Sequence, residues 1–197
     1  MDGIVDFLFE VGILNELPRS GCHFLGVTKQ NVAEHGFRIA VIAYCLAKLA
    51  PDADEGRLVK MCLLHDIVEA RTGDMNYVQK KYVKVDEDKA LRDQAARLPF
   101  GDDYIALVEE FNAAQTREAQ LAKDADQLEL MLVLKRTSDL GNKDADKWMP
   151  FATPRLRTEE GKKLGAKILS TASDRWWFDD DKDWWVHAGK KKKNSET

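Results

Sequence analysis

The stretch LLHDIVEARTGD, residues 63–74, places an imidazole beside a carboxylate in a sequence of mostly apolar and small residues. These two residues are His65 and Asp66, and a second carboxylate, Glu69, follows three positions after the aspartate. Burying such groups costs free energy unless each one is paired or binds a metal ion. One interpretation is a hydrogen-bonded pair in the core. The other is a divalent metal ion, which attracts both imidazole and carboxylate.

Two further segments carry residue types that bind metals, and both are expected on helices. VAEHGF contains His35, and AKDADQLEL contains Asp124 and Asp126. Two imidazoles and two carboxylates suffice to bind one divalent ion, and the two carboxylates neutralise its charge. Imidazole suits zinc, iron and nickel, whereas carboxylates shift the preference towards harder ions such as manganese. At this level Asp124 and Asp126 are alternative ligands.

Helical geometry places Glu69 beside such a site without making it a ligand. Adjacent residues on an α-helix point about 100° apart, so His65 and Asp66 would approach one ion from neighbouring directions. Glu69 lies on the same side of the helix. A carboxyl group in that position suits a general acid or base that acts on water at the metal. The alternative is an ion pair with Arg71 or Lys60.

The elements that must position these residues are all predicted to be helices. Apolar residues recur at helical spacing almost throughout, without repeats, alternating strand patterns or an interdomain linker. The sequence therefore predicts a single compact all-α domain. Asn31 with Glu34 resembles a capping box, and the helix that follows should stop before Pro51. The predicted helices are 4–17, about 31–50, 54–72, a solvated helix within 80–98, 103–113, 117–136 after a Thr116 cap, and about 158–171.

Composition narrows the possible functions. The 197 residues are 44% apolar and 32% charged, with a formal net charge of −4. This balance gives no electrostatic basis for binding nucleic acid or an anionic membrane. No apolar run approaches the ~20 residues that span a bilayer, and the N-terminus lacks the basic start of a signal peptide. The three cysteines, without CxxC spacing, favour reduced thiols and a cytoplasmic location.

The order of these segments resembles the H…HD…D signature of the HD-domain metal-dependent phosphohydrolases. His35 is the first residue of the signature, His65-Asp66 follows thirty residues later, and Asp126 lies sixty residues beyond Asp66. PRSG, NVAEH, LLHDIVEARTGD and TREAQLAKDADQLE are similar to segments of the 5′-deoxynucleotidase branch of that superfamily. The resemblance covers roughly residues 5–170.

This resemblance implies one divalent metal ion, with cobalt, manganese, zinc, iron, nickel or magnesium as candidates. The family register favours Asp126 over Asp124, which is then expected to be a solvated charge on the helix. The implied metal ligands are His35, His65, Asp66 and Asp126.

The resemblance also assigns roles around the metal. Glu69 would be a catalytic residue that helps to activate water. Arg19 would bind the substrate phosphate, which suits a forked guanidinium, and Asp74 would contact the sugar. The alternative for Arg19 is an arginine on the surface, and the alternative for Asp74 is a turn residue without contact to the substrate. The implied activity is removal of the 5′-phosphate from (deoxy)nucleoside monophosphates. The resemblance also implies that the protein forms a homodimer.

Two loops depart from the family pattern. Cys22-His23 occupies a position where family members often have a tryptophan, and Met75–Val78 occupies a segment that usually contains proline. Both loops are expected to line the nucleoside end of the pocket. An HD hydrolase of a triphosphate, a cyclic nucleotide or an alarmone therefore stays an alternative, as does a non-catalytic helical scaffold. Larger phosphate groups need several basic residues, of which only Arg19 is assigned.

The chain is expected to divide into an HD domain, residues 1–175, and a C-terminal segment, 176–197. The segment begins with the doublets Trp176-Trp177 and Trp184-Trp185 and ends in a lysine-rich tail. Aromatic doublets favour packing in the core or in a dimer. The run KKKK at 190–193 is interpreted as solvated.

Overall fold

A computed structural model of the protein describes residues 1–26, 29–178 and 185–186. Within these residues, strand-type pairing is limited to one isolated bridge between Pro18 and Asn31, so the all-α prediction is confirmed. Short 3₁₀ turns connect several of the helices. The α-helices are α1 (Asp2–Gly12), α2 (Val32–Leu49), α3 (Glu55–Leu64), α4 (Glu69–Thr72), α5 (Glu87–Ala95), α6 (Gly101–Ala113), α7 (Arg117–Asp139), α8 (Lys143–Ala152) and α9 (Glu159–Leu169).

Side-chain caps define where most of the longer helices begin. Asn31 accepts from the Glu34 amide while the Glu34 carboxylate accepts from the Asn31 amide, so the predicted capping box is confirmed. Helix α8 was not predicted, because its short, charged sequence contains Pro150, but Asn142 caps it. The N-caps that accept from their first turn are Asn31, Asp54, Asp86, Thr116, Asn142 and Thr158.

Helix α7 lies at the centre of the fold and contacts α2, α3, α6, α8 and α9. Its Ala125 and Leu128 are completely buried, as are Ile39 and Leu46 of α2 and Met61 of α3. These side chains form one continuous apolar core. Burial of this surface supplies the main free energy that holds the helices together, so polar groups that α7 carries at this depth need partners.

The prediction of one continuous helix over 54–72 is wrong at its centre. Residues 65–68 form turns between α3 and α4. On one side of this break, Cys62 packs into the core around α7. On the other side, Ile67 and Val68 pack into a second core formed with α1, α5 and α6. The chain changes direction here because its apolar side chains are buried in two different places.

The C-terminal tryptophans have different environments. Trp148 is partly buried against the core around α7. Trp176 is 85% exposed, so it does not pack in the core of the single chain, and packing in a dimer stays a prediction for that residue. Trp184 and the lysine-rich tail lie outside the described residues, and a separate segment 176–197 stays a prediction. Within the described part of the chain, none of the helices has the length and apolar character needed to cross a membrane.

Candidate metal centre

The four implied metal ligands come together although they lie on three separate elements. His35 lies on α2, His65 and Asp66 follow α3, and Asp126 lies on α7. His35 Nε2 is 3.2 Å from an Asp126 oxygen and 3.5 Å from an Asp66 oxygen, and His65 Nε2 is 3.2 Å from the other Asp66 oxygen. One donor atom each from His35, His65 and Asp126 lies within 4.8 Å of the others. This spacing fits donors around a single ion.

Both imidazole rings are held so that Nε2 faces this cluster. His35 Nδ1 is 2.8 Å from an oxygen of Glu129, and His65 Nδ1 is 3.0 Å from the Cys62 carbonyl oxygen. Because both partners are acceptors, each Nδ1 donates its hydrogen, and in the neutral imidazole Nε2 then carries the free electron pair that a metal ion binds. His35 Nε2 is buried without a hydrogen bond, which is costly for a nitrogen that does not bind a metal. The donor set therefore fits a divalent transition metal.

The acidic surroundings favour a positive charge at His35. Burial lowers the pKa of His35, but the nearby Asp126 and Glu129 carboxylates outweigh it and raise the pKa to about 9. A metal ion and a proton compete for the same imidazole nitrogen. Metal binding at neutral pH is therefore expected to release a proton from this site.

Glu129 is a functional residue that the sequence analysis missed. It lies on α7, three residues after Asp126, and its side chain is 2% exposed. Besides His35, it accepts from Gln30 at 2.6 Å and pairs with Arg38 at 3.2 Å. Burial raises its pKa, but the bond from His35 and these neighbours lower it overall, so the carboxylate stays charged. The available signal was a lone glutamate in the apolar run LELMLVL.

Replacing Glu129 with Gln should weaken metal binding about 10- to 100-fold, because the imidazole then loses the carboxylate that orients it. Calorimetric titration of metal-free protein with manganese or cobalt measures this change. Glu159→Gln is a suitable control, because Glu159 is exposed on α9 and, within the described part of the chain, forms an ion pair with Lys162. Equal affinity of the Glu129 variant and the control would contradict the orienting role.

Asp124 has a structural role, and the prediction of a solvated charge is wrong. Its side chain is completely buried. It accepts hydrogen bonds from the backbone amides of Arg157 and Thr158 at 2.7 and 2.8 Å and from the Thr158 hydroxyl at 2.6 Å. A side chain at Gly161 would collide with it, since a Cβ there would lie 2.2 Å from an Asp124 oxygen. Asp124 thus fixes the start of α9 against α7.

Asp124→Asn should destabilise the protein by about 2–4 kcal/mol, because an amide group cannot accept all three of these hydrogen bonds. Urea unfolding of the metal-free protein measures the loss. Asp102→Asn, on the exposed first turn of α6, should change stability far less. If both variants unfold at the same urea concentration as the parent protein, the role of Asp124 in anchoring α9 is wrong.

Hydrogen bonds of the 3₁₀ type place the side chain of Glu69 in line with that of Asp66. The amides of Ile67 and Glu69 bond to the carbonyl groups of Leu64 and Asp66, three residues earlier, at 3.2 and 3.0 Å. This is the 3₁₀ spacing, in which side chains three residues apart lie one above the other. The predicted position of Glu69, beside the metal ligands, therefore results from the turns that interrupt the helix.

The Glu69 carboxyl group has no ion pair with either alternative partner named above. Arg71 instead pairs with Glu10, at 2.9 Å between Nη2 and Oε2. One Glu69 oxygen is buried without any hydrogen bond. Burial raises the pKa of Glu69 to about 9, and the nearby Asp66 and Asp74 carboxylates add to the rise. A carboxyl group of this kind can hold and transfer a proton near neutral pH.

Arg19 and Asp74 meet at the edge of the metal cluster. Arg19 Nη1 is 3.1 Å from an Asp74 oxygen and 3.7 Å from an Asp66 oxygen. The same Asp74 oxygen accepts from the Ser20 amide at 2.9 Å. Gly73, at φ 74°, has the backbone conformation that permits the sharp turn before Asp74. Asp74 therefore anchors the loop that carries Arg19.

Three of the four implied metal ligands line one cavity of about 240 Å³ together with Glu69, Arg19 and Asp74, whereas His35 does not line it. The cavity is strongly polar, as expected for a site that binds a charged ligand. It also contains two basic residues that the sequence analysis did not assign, Lys80 and Lys123. The residues that line it are Arg19, His65, Asp66, Val68, Glu69, Asp74, Lys80, Glu87, Asp88, Leu91, Val108, Phe111, Asn112, Lys123 and Asp126.

The two loops that depart from the family pattern do not line this cavity in the described residues. The contribution of Cys22-His23 and Met75–Val78 to the nucleoside end of the pocket stays a prediction, and Cys22 and His23 line a neighbouring depression that also contains Arg19. The aromatic residues of the two loops pack together elsewhere. The Phe24 ring centroid lies 5.3 Å from that of Tyr77 and 6.0 Å from that of Trp148. This aromatic cluster joins both loops to α8.

Sequence comparison relates most of this chain, including the residues of the candidate metal centre, to a known protein family. A family model described as HD domain matches residues 11–165. The protein named 5′-deoxynucleotidase HDDC2 from Mus musculus is 29% identical over 147 residues, which cover 72% of this chain and 73% of the relative. The protein of that name from Bos taurus is 30% identical over 146 residues, covering 71% and 70%.

Solved structures share the fold at similar identity. A conserved hypothetical protein from Pyrococcus furiosus aligns with a TM-score of 0.72 at 25% identity, covering 85% of this chain and 99% of its own. A protein from Magnetospirillum magnetotacticum, described as a predicted metal-dependent phosphohydrolase, aligns with a TM-score of 0.65 at 25% identity. That alignment covers 89% of this chain and 96% of the neighbour.

Proposed function

Because this chain belongs to the HD domain family, we propose that it is a metal-dependent phosphohydrolase that removes the 5′-phosphate from (deoxy)nucleoside monophosphates. The family match covers residues 11–165. The relatives named 5′-deoxynucleotidase support a nucleotide as the substrate. The products of this reaction are a nucleoside and inorganic phosphate.

One observation carries the proposal: two histidines and two aspartates cluster together, and three of these side chains, His65, Asp66 and Asp126, line one polar cavity. The Nε2 atom of His35 is buried there without a hydrogen bond. Nitrogen and carboxylate donors together accept several divalent ions, so cobalt, manganese, zinc, iron, nickel and magnesium are all candidates. Such an ion supplies Lewis acidity, which withdraws charge from the phosphate and makes water more acidic.

Arg19 is proposed to bind the phosphate. Its guanidinium group lines the cavity and is fixed by Asp74, so little side-chain entropy is lost when an anion binds. Asp74 uses one oxygen for Arg19 and for the Ser20 amide. Its other oxygen is the proposed sugar contact. In this proposal Asp74 therefore positions Arg19 and also contacts the substrate.

Glu69 is proposed to transfer the proton in the reaction. The oxygen of a water molecule forms a bond to phosphorus while the bond between phosphorus and the 5′ oxygen breaks. The leaving oxygen gains a proton and the attacking water loses one. Because burial and neighbouring carboxylates raise its pKa, Glu69 can exchange protons with both groups. Its position beside Asp66 supports this role.

A second candidate is an HD hydrolase of a triphosphate, a cyclic nucleotide or an alarmone. The sequence analysis disfavoured larger phosphate groups because only Arg19 was assigned as a phosphate-binding cation. Lys80 and Lys123 also line the cavity, which removes that objection. This reading uses the same metal ligands and differs in which phosphate bond is broken.

We also propose that the protein is a homodimer and that it is located in the cytoplasm. Its support is the family resemblance together with exposed apolar side chains, including Leu8, Phe9 and Phe37, which are 63%, 77% and 72% exposed. The free thiols of Cys22, Cys45 and Cys62 agree with a reducing compartment. Light scattering on the purified protein measures the mass in solution and tests the dimer.

The test of the function is hydrolysis of a panel of nucleoside monophosphates, nucleoside triphosphates, cyclic nucleotides and alarmones, with every product identified by chromatography. The protein is first stripped with a chelator and then supplied with cobalt, manganese, zinc or magnesium. Orthophosphate released from monophosphates in a metal-dependent manner is the expected result. Turnover of triphosphates, cyclic nucleotides or alarmones alone would move the protein to the second candidate. Protein that hydrolyses none of these nucleotides with any metal would exclude both.

A further inference from the structure

Lys123 places a positive charge in the cavity that no described residue neutralises by direct contact. Its side chain is partly buried and lines the cavity. Among the described residues it has no hydrogen bond or ion pair, and its one direct interaction is with the ring of Phe111. Arg19, in contrast, is already paired with Asp74. Lys123 is therefore the less neutralised of these two cations.

Two neighbours fix the position of this ammonium group. Lys123 lies one turn before Asp126 on α7, so both side chains leave the same face of the helix. Its Nζ is 3.6 Å from the centre of the Phe111 ring, a cation–π contact. The Phe111 ring in turn lies 4.2 Å from the His65 ring, measured between centroids. Lys123 is thus held at the metal centre itself.

The local energetics indicate that an anion belongs beside Lys123. An ammonium group that loses water without gaining an acceptor is unfavourable. Burial lowers the pKa of Lys123, and attraction to Asp126 and Asp66 opposes that change. A bound phosphate would supply the missing acceptor oxygens. The many carboxylates of this cavity also make additional positive charge necessary if a phosphate is to bind there.

The geometry points to Lys123 as a phosphate-binding residue that, together with Arg19, holds the phosphoryl group of the substrate. This inference rests on the proposed function for the identity of the substrate, a nucleotide. Its ligand chemistry is more general, because the ammonium group contacts phosphate oxygens whichever nucleoside carries them. Lys80, which is exposed at the cavity, is not part of the inference.

The experiment compares Lys123→Met, Lys123→Arg and a matched control, Lys135→Met. Lys135 lies on the same helix, outside the cavity, and pairs with Asp139. Calorimetry measures the binding of inorganic phosphate to each manganese-loaded protein, and a separate titration measures manganese affinity. Phosphate binding does not require turnover, so this readout is independent of whether the protein hydrolyses nucleoside monophosphates.

We expect Lys123→Met to bind phosphate about 10- to 100-fold more weakly, as for the loss of one charge-assisted hydrogen bond. Manganese affinity should stay equal or rise, because a positive charge has been removed near Asp126. Lys123→Arg should recover most of the phosphate affinity, and Lys135→Met should match the parent protein. The same order is expected in KM if monophosphates are hydrolysed.

Unchanged phosphate affinity in Lys123→Met would overturn the inference. So would a parallel loss of phosphate and manganese binding in a folded Lys123→Met protein, because Lys123 would then support the metal site and not the phosphate. If Lys123→Met does not fold, Lys123→Arg decides: affinity more than tenfold below that of the parent protein would count against a phosphate contact. Phosphate binding that depends on Lys123 in a protein that cleaves no nucleoside monophosphate would refute the proposed function and leave this inference standing.

Discussion

Glu69→Gln is expected to reduce kcat about 100- to 10,000-fold while the metal stays bound, which is the usual range for loss of a general acid or base. The substitution keeps the size of the side chain and removes its ability to exchange a proton. Because Glu69 is aligned with Asp66 and is not placed among the ligands, the metal should be retained. Phosphate binding should also persist.

Turnover of a deoxynucleoside monophosphate and bound manganese are measured on the same sample of Glu69→Gln. The control is Glu109→Gln, because Glu109 is exposed on α6, outside the cavity, where it pairs with Arg92. A variant that loses metal and activity together would show that Glu69 acts as a ligand. A variant with full activity would remove Glu69 from the chemistry.

Asp126→Asn is expected to abolish stoichiometric metal binding and to lower kcat/KM about 1,000-fold or more. A neutral amide replaces one of the two carboxylates that neutralise the dication, and Lewis acid catalysis contributes several kcal/mol to such reactions. Asp126 is also the only one of the proposed ligands that α7 provides. The remaining three side chains cannot replace it from that side.

The chain offers a matched control in Asp124→Asn, which changes the same residue type two positions away on the same helix. Elemental analysis after dialysis gives the metal content of both variants, and urea unfolding gives their stability. Asp126→Asn should lose metal and keep its fold. Asp124→Asn should lose stability and keep its metal when folded. The reverse pattern would exchange the two roles and refute the assignment of Asp126.

Local features of the sequence are sufficient to predict much of this protein. The capping box at Asn31 and the caps at Asp54 and Thr116 fix helix starts, because each involves neighbours only three residues apart. The spacing of His35 and His65-Asp66 marks the metal site through residue types that are rarely buried without a purpose. Helical periodicity excludes a sheet. These features depend on short-range interactions that the sequence displays directly.

Other features depend on which helices meet. Periodicity continues across residues 65–68, yet the helix is interrupted there because Cys62 and Ile67 are buried in different cores. Both aspartates of KDAD lie on the same helix, two residues apart, but α9 lies over Asp124 and leaves Asp126 facing the cavity. No local rule distinguishes such residues.

Glu129 and Lys123 illustrate the same limit at the site. Each is an ordinary charged residue of a helix in the sequence, and each becomes informative only when its neighbours are known. Glu129 is buried against His35, which lies 94 residues away along the chain. Lys123 lies over the Phe111 ring and has no acceptor among the described residues. The sequence by itself determines the helical fold class, most helix starts and the metal-binding residue types, whereas tertiary packing decides where a helix is interrupted, which charges are desolvated and therefore what each can do.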